Sequence, residues 1–121
     1  MIRNLTGFAG NVVAVACSGH VTRSDYQTVL IPIVEAALKA NPKVRLYYEI
    51  GTDFAGIEPG AMWEDLTIGI EHFSRWERVA VVTNVAWVRL AVQAFGFLMP
   101  GRVRIFPLAD AAQAKVWIAE R

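Results

Sequence analysis

The sequence contains few of the residues that metal centres and disulfide frameworks require. Its 121 residues include one cysteine, Cys17, and two histidines, His20 and His72. A single cysteine cannot form an intramolecular disulfide or supply the cysteine pair of a zinc site, and two histidines do not make a histidine-based metal cluster. We therefore expect no metal site and no cofactor. Cys17 ends an apolar segment, which indicates a buried, inert thiol in a reducing compartment.

Long uninterrupted apolar segments are also absent from the sequence. A membrane-spanning helix needs about 20 consecutive apolar residues, and the longest candidate, 85–99, is interrupted by Arg89 and Gln93. The segment Met1–Leu5 lacks the apolar region of a signal peptide. The sequence therefore predicts a cytoplasmic protein, either free or peripherally attached to a membrane.

Excess charge of either sign is missing too. The chain has 12 Lys and Arg residues against 11 Asp and Glu residues, a net charge of +1, and 55% hydrophobic residues. Such a balance argues against disorder and gives no reason to expect nucleic acid as a partner. The length predicts one domain, residues 1–121, with a substantial hydrophobic core.

The usual signatures of enzymes are weak. No glycine-rich phosphate loop is present, because the glycines of Gly51–Gly60 have the wrong spacing. Asp53 and Glu58 resemble an acid–base pair, but a solvated loop explains them equally well. His20 follows a predicted strand at the sheet edge where ligands bind in open parallel sheets, although a turn residue is the simpler interpretation. We expect a protein without catalytic residues, and we keep His20 and Asp53 as loop candidates.

The residues that are present alternate between strand and helix patterns. The predicted strands are Ile2–Thr6, Asn11–Cys17, Lys43–Ile50, a segment starting at Arg78 and Arg102–Phe106; the predicted helices are Asp25–Ala40, Ala61–Trp76, Val85–Met99 and a last helix starting at Ala109 or Asp110. The order β-β-α-β-α-β-α-β-α predicts an α/β fold with a mostly parallel four-stranded sheet. The short first connection predicts an additional, antiparallel first strand.

Two features of the first helix lead to specific expectations. Ser24 is a candidate N-cap, and Gln27, three residues later, completes a capping-box pattern. Pro32 lies in the middle of the helix, on the side that carries Thr28 and Lys39. Because proline lacks the N–H and crowds the preceding turn, we expect a kink that faces solvent.

The helix 85–99 has an unusual distribution of apolar residues. Arg89, Gln93 and Gly96 share one narrow sector, and the remaining positions are apolar over an arc of roughly 220°, whereas about 100° is enough to face a core. We expect the side with Ala91 and Ala94, together with Trp87 and Leu98, to face the sheet. The flanks then need another partner. The candidate binding residues are Trp87, Val88, Arg89, Leu90, Val92, Phe95, Phe97 and Met99.

Several partners could cover those flanks: a neighbouring helix, a second copy of the chain in a homodimer, a membrane surface, or a lipid, fatty acid or other amphiphile. Arg89, with Arg102 and Arg104 after the helix, could contact anionic head groups, at about 1 kcal/mol for each residue near an acidic membrane.

Several segments resemble one family. Asp53–Gly56 and Pro59–Asp65, followed by Arg78–Val82 with Trp87 and by Arg104–Phe106, are similar to the SpoIIAA-like family, which is related to the STAS domains (sulfate transporter and anti-sigma factor antagonist). The resemblance covers essentially the whole chain. It implies a four-stranded parallel sheet with helices and an antiparallel first strand, and the fold group looks similar to the CRAL-TRIO lipid-binding domains.

The resemblance does not extend to the phosphorylation switch of the anti-sigma factor antagonists. Their serine follows the third strand, whereas this sequence has Thr52 and Asp53 there and no serine from Gly51 to Phe73. Our leading hypothesis is a non-catalytic cytoplasmic module that binds an apolar or amphiphilic ligand, or a membrane surface, through the helix 85–99. The alternative is a protein-interaction or regulatory module, as a homodimer or a STAS-type partner, without the phosphoserine switch.

Overall fold

The computed structural model of this chain describes residues 1–60, 75–96 and 102–120. The strands are β1 (Ile2–Asn4), β2 (Val12–Cys17), β3 (His20–Val21), β4 (Val44–Ile50), β5 (Gly56–Ile57), β6 (Trp76–Val82) and β7 (Arg102–Phe106). The helices are α1 (Arg23–Asp25), which continues through a π turn (Tyr26–Leu30) into α2 (Ile31–Ala40), then α3 (Ala86–Gly96) and α4 (Ala111–Ala119). The predicted helix Ala61–Trp76 falls almost entirely outside the described residues.

Five of the strands form one sheet in the order β1-β2-β4-β6-β7. β1 pairs antiparallel with β2, and β2, β4, β6 and β7 pair in parallel. This arrangement confirms the predicted α/β fold with an antiparallel first strand. The four parallel strands follow one another across the sheet in chain order, and the helices of two described crossovers, α2 and α3, pack on the same face, as right-handed crossovers require.

Both faces of the sheet are buried in two separate apolar clusters. The first face carries Val13, Val15, Val44, Ile50 and Val81, which pack with residues of the π turn, α2 and α3. The second face carries Ala14, Tyr47, Ala80, Val82 and Phe106, which pack with α4. Alternate residues of β4 therefore lie on opposite faces, and Tyr47, between Arg45 and Glu49, is on the side that α4 covers.

The first helix starts earlier than the capping pattern predicted. Thr22 is the N-cap: its hydroxyl accepts a hydrogen bond from the Asp25 N–H over 3.1 Å, and the Asp25 carboxylate accepts one from the Thr22 N–H over 2.8 Å. The prediction of Ser24 and Gln27 as the capping pair is wrong. Thr22 is the N-cap because β3 ends directly before it. Thr22 therefore has the extended backbone conformation that is typical of an N-cap.

Pro32 lies one residue inside α2 and is exposed, as expected. The π turn before it explains how the chain tolerates proline. The Ile31 N–H bonds to the carbonyl of Tyr26, five residues back rather than four. After this wider turn a new α-helical segment begins at Ile31, and Pro32 is its second residue. The N–H groups of the first turn have no partner within an α-helix, so the N–H that proline lacks costs little stability there.

Two boundaries differ from the sequence prediction. Trp76 begins β6 instead of ending a helix, and its ring joins the cluster on the first face. The segment Gly51–Gly60 is not wholly irregular, because Gly56–Ile57 pairs in parallel with His20–Val21 as a small second sheet. Two-residue strands carry too little periodic pattern to be recognised in a sequence.

Candidate functional site

The structure shows which side of α3 faces the protein. Val88 is buried in the first-face cluster, and Val85 and Val92 pack against the same cluster. Trp87 and Leu90 point outwards, with 47% and 67% of their surface exposed. The three valines recur at three- and four-residue intervals, so they lie on one side of the helix, and this side packs on the sheet.

The predicted orientation of this helix is therefore wrong. We expected Trp87, Ala91 and Ala94 to face the sheet, but Trp87 and Ala94 are exposed. The small residues do not mark the sheet side here, because the β-branched valines fill the space above the strands. Val88, a predicted binding residue, belongs to the core, and Val92 is half-buried. Phe95 lies within α3, but its side chain is outside what the structure describes, and so are Phe97 and Met99.

A buried threonine organises the start of α3. Thr83 is fully buried; its N–H donates to the Phe106 carbonyl over 2.9 Å, and its hydroxyl accepts a hydrogen bond from the Val85 N–H over 3.0 Å. The Arg89 guanidinium donates to the Thr83 carbonyl over 3.2 Å. A hydroxyl residue shortly before a predicted helix is the sequence signal for this local hydrogen bond.

The structure brings one further aromatic residue, the half-buried Phe54 beside the first-face cluster, into contact with Trp87 of α3. The rings of Phe54 and Trp87 lie 6.1 Å apart, centroid to centroid, with their planes tilted by 39°. Phe54 comes from the connection between β4 and β5, which places it at the carboxyl end of the parallel strands. We call Phe54, Trp87 and Leu90 the outer patch. Phe54 was not predicted, and the single aromatic residue of the loop Gly51–Gly60 was the available signal.

The two loop candidates, His20 and Asp53, lie on neighbouring segments. Gly19 donates from its N–H to the Asp53 carbonyl over 3.2 Å, and Gly19 accepts from the Ala55 N–H over 2.7 Å. Both side chains are exposed. The contacts that join the two loops are thus made by peptide groups. Within the described ranges, no three His, Cys, Asp or Glu side chains lie close enough to hold a metal ion.

Arg102 and Arg104 lie on the opposite side of the sheet from α3. The register pairs Arg104 with Ala80 and Phe106 with Val82, both second-face residues. The guanidinium of Arg104 lies 4.8 Å from the centre of the Phe106 ring and 5.4 Å from that of Trp117. The expectation that these arginines assist α3 at a membrane is therefore wrong, since the period of two in β7 directs them to the face covered by α4.

The order of the strands also bears on the loop candidates. Open α/β sheets bind ligands where the strand order reverses, and the order β1-β2-β4-β6-β7 has no reversal among the strands of this sheet. The order of the described strands therefore gives no support to a ligand site at His20 and Asp53. In the part of the chain that the structure describes, no helix is long and apolar enough to cross a membrane.

Comparison with known proteins defines the relationships of the chain. A comparison with curated proteins finds no match. Among solved structures, the chain is similar to an uncharacterised protein from Shewanella loihica PV-4 with a SpoIIAA-like fold, at a TM-score of 0.77 and 24% identity over 97% of this chain and 93% of the other. At this identity the likeness concerns the fold. The SpoIIAA-like family model matches residues 12–119. This chain therefore belongs to the SpoIIAA-like family.

Proposed function

We propose that this protein is a non-catalytic binding module that attaches reversibly to a lipid membrane surface through the outer patch. The SpoIIAA-like fold suggests a non-catalytic binding or regulatory module. The observation that supports the membrane is the exposure of Trp87 and Leu90, at 47% and 67%, on one side of one helix. Large apolar side chains that share an exposed helix face generally mark an interaction site.

The chemistry of the outer patch suits the interface of a bilayer. Tryptophan is enriched at membrane interfaces, where an amphipathic ring can reach the acyl region while its N–H stays hydrated. Removing the exposed parts of Trp87 and Leu90 from water contributes a few kcal/mol at ~25 cal/mol per Å². The lost translational and rotational freedom of the bound protein offsets part of that free energy. Attachment by these two residues is therefore weak and reversible.

The positions of the arginines determine how attachment depends on charge. The guanidinium of Arg89 is engaged by the Thr83 carbonyl, and Arg102 and Arg104 lie on the second face. These three arginines are therefore poorly placed to meet anionic head groups beside α3. Binding should depend mainly on the apolar area, with little effect of salt or of anionic lipid.

Vesicle co-sedimentation tests the proposal. We expect the protein to sediment with phosphatidylcholine vesicles and, to a similar extent, with vesicles containing phosphatidylserine. Leu90→Ser and Trp87→Ser should each reduce the bound fraction. Val116→Ser is the matched control, because Val116 is 64% exposed but lies on α4, on the other side of the sheet. Equal binding by all variants, or none by the unmodified protein, would contradict the proposal.

Two further measurements separate the membrane from the other partners of this surface. Sedimentation velocity of the unmodified protein detects a homodimer; a dimer that Leu90→Ser converts to a monomer would assign the outer patch to a second copy. Titration with a soluble fatty acid detects a single bound amphiphile. Saturable binding with one molecule per chain, and none to vesicles, would also replace the membrane proposal.

A further inference from the structure

The strand β7 forms one edge of the five-stranded sheet. It pairs with β6 on one side, and no strand of the described residues pairs with its other side. The Thr83 N–H bonds to the Phe106 carbonyl. Along a strand, every second residue directs its N–H and C=O groups to the same neighbouring strand. Arg102 and Arg104 therefore direct their N–H and C=O groups towards β6, as Phe106 does. The N–H and C=O groups of Val103 and Ile105 consequently point to the open edge.

A groove runs beside this edge on the second face. It has a volume of about 400 Å³, within the range of sites that hold ligands. Arg104 and Phe106 of β7 form one wall, and Val116 and Trp117 of α4, with Glu120 directly after the helix, form part of the other. Val116 is 64% exposed there although it is apolar. A strand edge with a helix beside it is the arrangement in which an extended peptide adds a strand to a sheet.

The charges along β7 indicate what kind of peptide fits. Arg102 and Arg104 are exposed, and both project from the second face. The guanidinium of Arg104 stacks over the rings of Phe106 and Trp117. The N–H groups along the edge of the guanidinium can therefore bind a carboxylate. Residues directly opposite in neighbouring strands interact, and opposite charges stabilise the pair. Side chains placed beside Arg102 and Arg104 should therefore be acidic.

The remaining side chains of the added strand would project from the first face of the sheet. Val103 and Ile105 are half-buried there, in register with Val79 and Val81. Residues beside them should be β-branched or otherwise apolar. A second copy of β7 fits poorly, because antiparallel self-pairing would bring the arginines of both strands together on one face, and charged residues on an edge oppose such pairing.

From this geometry we infer that β7 and the groove beside it bind an extended peptide segment in which acidic and apolar residues alternate, as an added strand. The acidic residues lie beside Arg102 and Arg104, and the apolar residues lie beside Val103 and Ile105. Main-chain hydrogen bonds to Val103 and Ile105 hold the segment. The groove and the two arginines lie across the sheet from the outer patch, and the inference does not depend on the membrane proposal.

Selection from a random peptide display library tests the inference with the full chain as bait. We expect the selected sequences to be enriched in alternating Asp or Glu and Val or Ile. A synthetic peptide of the most enriched sequence should slow amide exchange at Val103 and Ile105. Its affinity should fall as salt rises from about 50 to 500 mM. No enrichment, enriched sequences without acidic residues, or protection at another element would overturn the inference.

Two variants separate charge from main-chain pairing. Arg102→Glu with Arg104→Glu should weaken the peptide about tenfold or more, whereas Arg3→Glu with Lys39→Glu, which changes the charge equally at other exposed positions, should not. Val103→Pro removes an N–H that points away from β6, so it should abolish binding while β7 stays paired. Leu90→Ser should leave peptide binding unchanged. If the unmodified protein is instead a dimer with Val103 and Ile105 protected, the occupant is a second copy and the inference fails.

Discussion

Arg45, on the middle strand of the sheet, donates a hydrogen bond from Nη1 to the main-chain oxygen of Ile118 over 2.8 Å. The same nitrogen also bonds to the Glu120 carbonyl, and Nε pairs with the carboxylate of Glu77 over 2.5 Å. The last carbonyls of a helix lack partners within the helix. Arg45 supplies those partners for α4 and thereby ties α4 to the second face.

Replacing Arg45 should destabilise the protein strongly. Arg45→Met would leave the carbonyls of Ile118 and Glu120 and the carboxylate of Glu77 without this donor, at a cost of about 3 kcal/mol in the free energy of unfolding. Urea denaturation measures the loss. Arg3→Met is the exposed control, with an expected change below about 0.5 kcal/mol. A loss below about 1 kcal/mol for Arg45→Met would show that α4 is held mainly by its apolar contacts.

The two candidate caps of the first helix can be distinguished by substitution. Thr22→Ala should lower the free energy of unfolding by about 1 kcal/mol, because the Asp25 N–H loses its acceptor. Ser24→Ala, at the position that the sequence pattern favoured, should have almost no effect. Chemical denaturation of both variants measures the difference. Equal effects, or a larger effect at Ser24, would contradict the assignment of Thr22 as N-cap.

The π turn before Pro32 leads to another prediction. Pro32→Ala should leave the stability unchanged or raise it slightly, because Pro32 is exposed and alanine is the better helix former. The Ile31-to-Tyr26 hydrogen bond should then compete with an ordinary α-helical one. The free energy of unfolding and the backbone chemical shifts of residues 26–31 report both effects. A loss beyond about 1 kcal/mol would mean that the proline maintains a contact that the fold needs.

The buried Tyr47 predicts a loss of stability in alkaline solution. Burial raises the pKa of the Tyr47 hydroxyl well above its usual range, and its hydrogen bond to the Glu49 carboxylate and the negative charge of that group raise the pKa further. The unfolded chain loses this proton near pH 10, whereas the folded chain keeps it. Stability contributed by the bound proton is complete below that pH and declines as the pH rises above it.

Denaturation between about pH 8 and 11 tests this prediction. The free energy of unfolding should decline above about pH 10 in the unmodified protein, and the decline should be smaller in Tyr47→Phe. The comparison of slopes is informative even if Tyr47→Phe is less stable at neutral pH. Identical slopes in the two proteins would show that Tyr47 does not cause the decline.

Much of the architecture could be derived from the sequence. The alternation of Arg102–Phe106 and of Val44–Ile50 has a period of two, which identifies strands and assigns residues to opposite faces. The order of elements, with one short first connection, then implies a parallel sheet with an antiparallel first strand. These properties are local, or follow from chain connectivity, so the sequence was sufficient for them.

The candidate site depended on information that local patterns do not contain. The apolar arc of α3 is wider than one sheet can cover, so several rotations of the helix agree with the sequence. Packing of Val85, Val88 and Val92 on the first face selects one of them, and that choice exposes Trp87 and Leu90.

For the arginines of β7, too, the sequence determined one property and the tertiary structure another. Their alternation with Val103 and Ile105 was visible in the sequence, and it implied that they project from one face. Pairing with β6 decided that this face is the one beneath α4, away from α3. The sequence by itself thus determined the elements, their order and the alternation of side chains along them. Tertiary structure alone decided the rotation of α3 and the face of the sheet that receives Arg102 and Arg104, because both depend on contacts between residues distant in the chain.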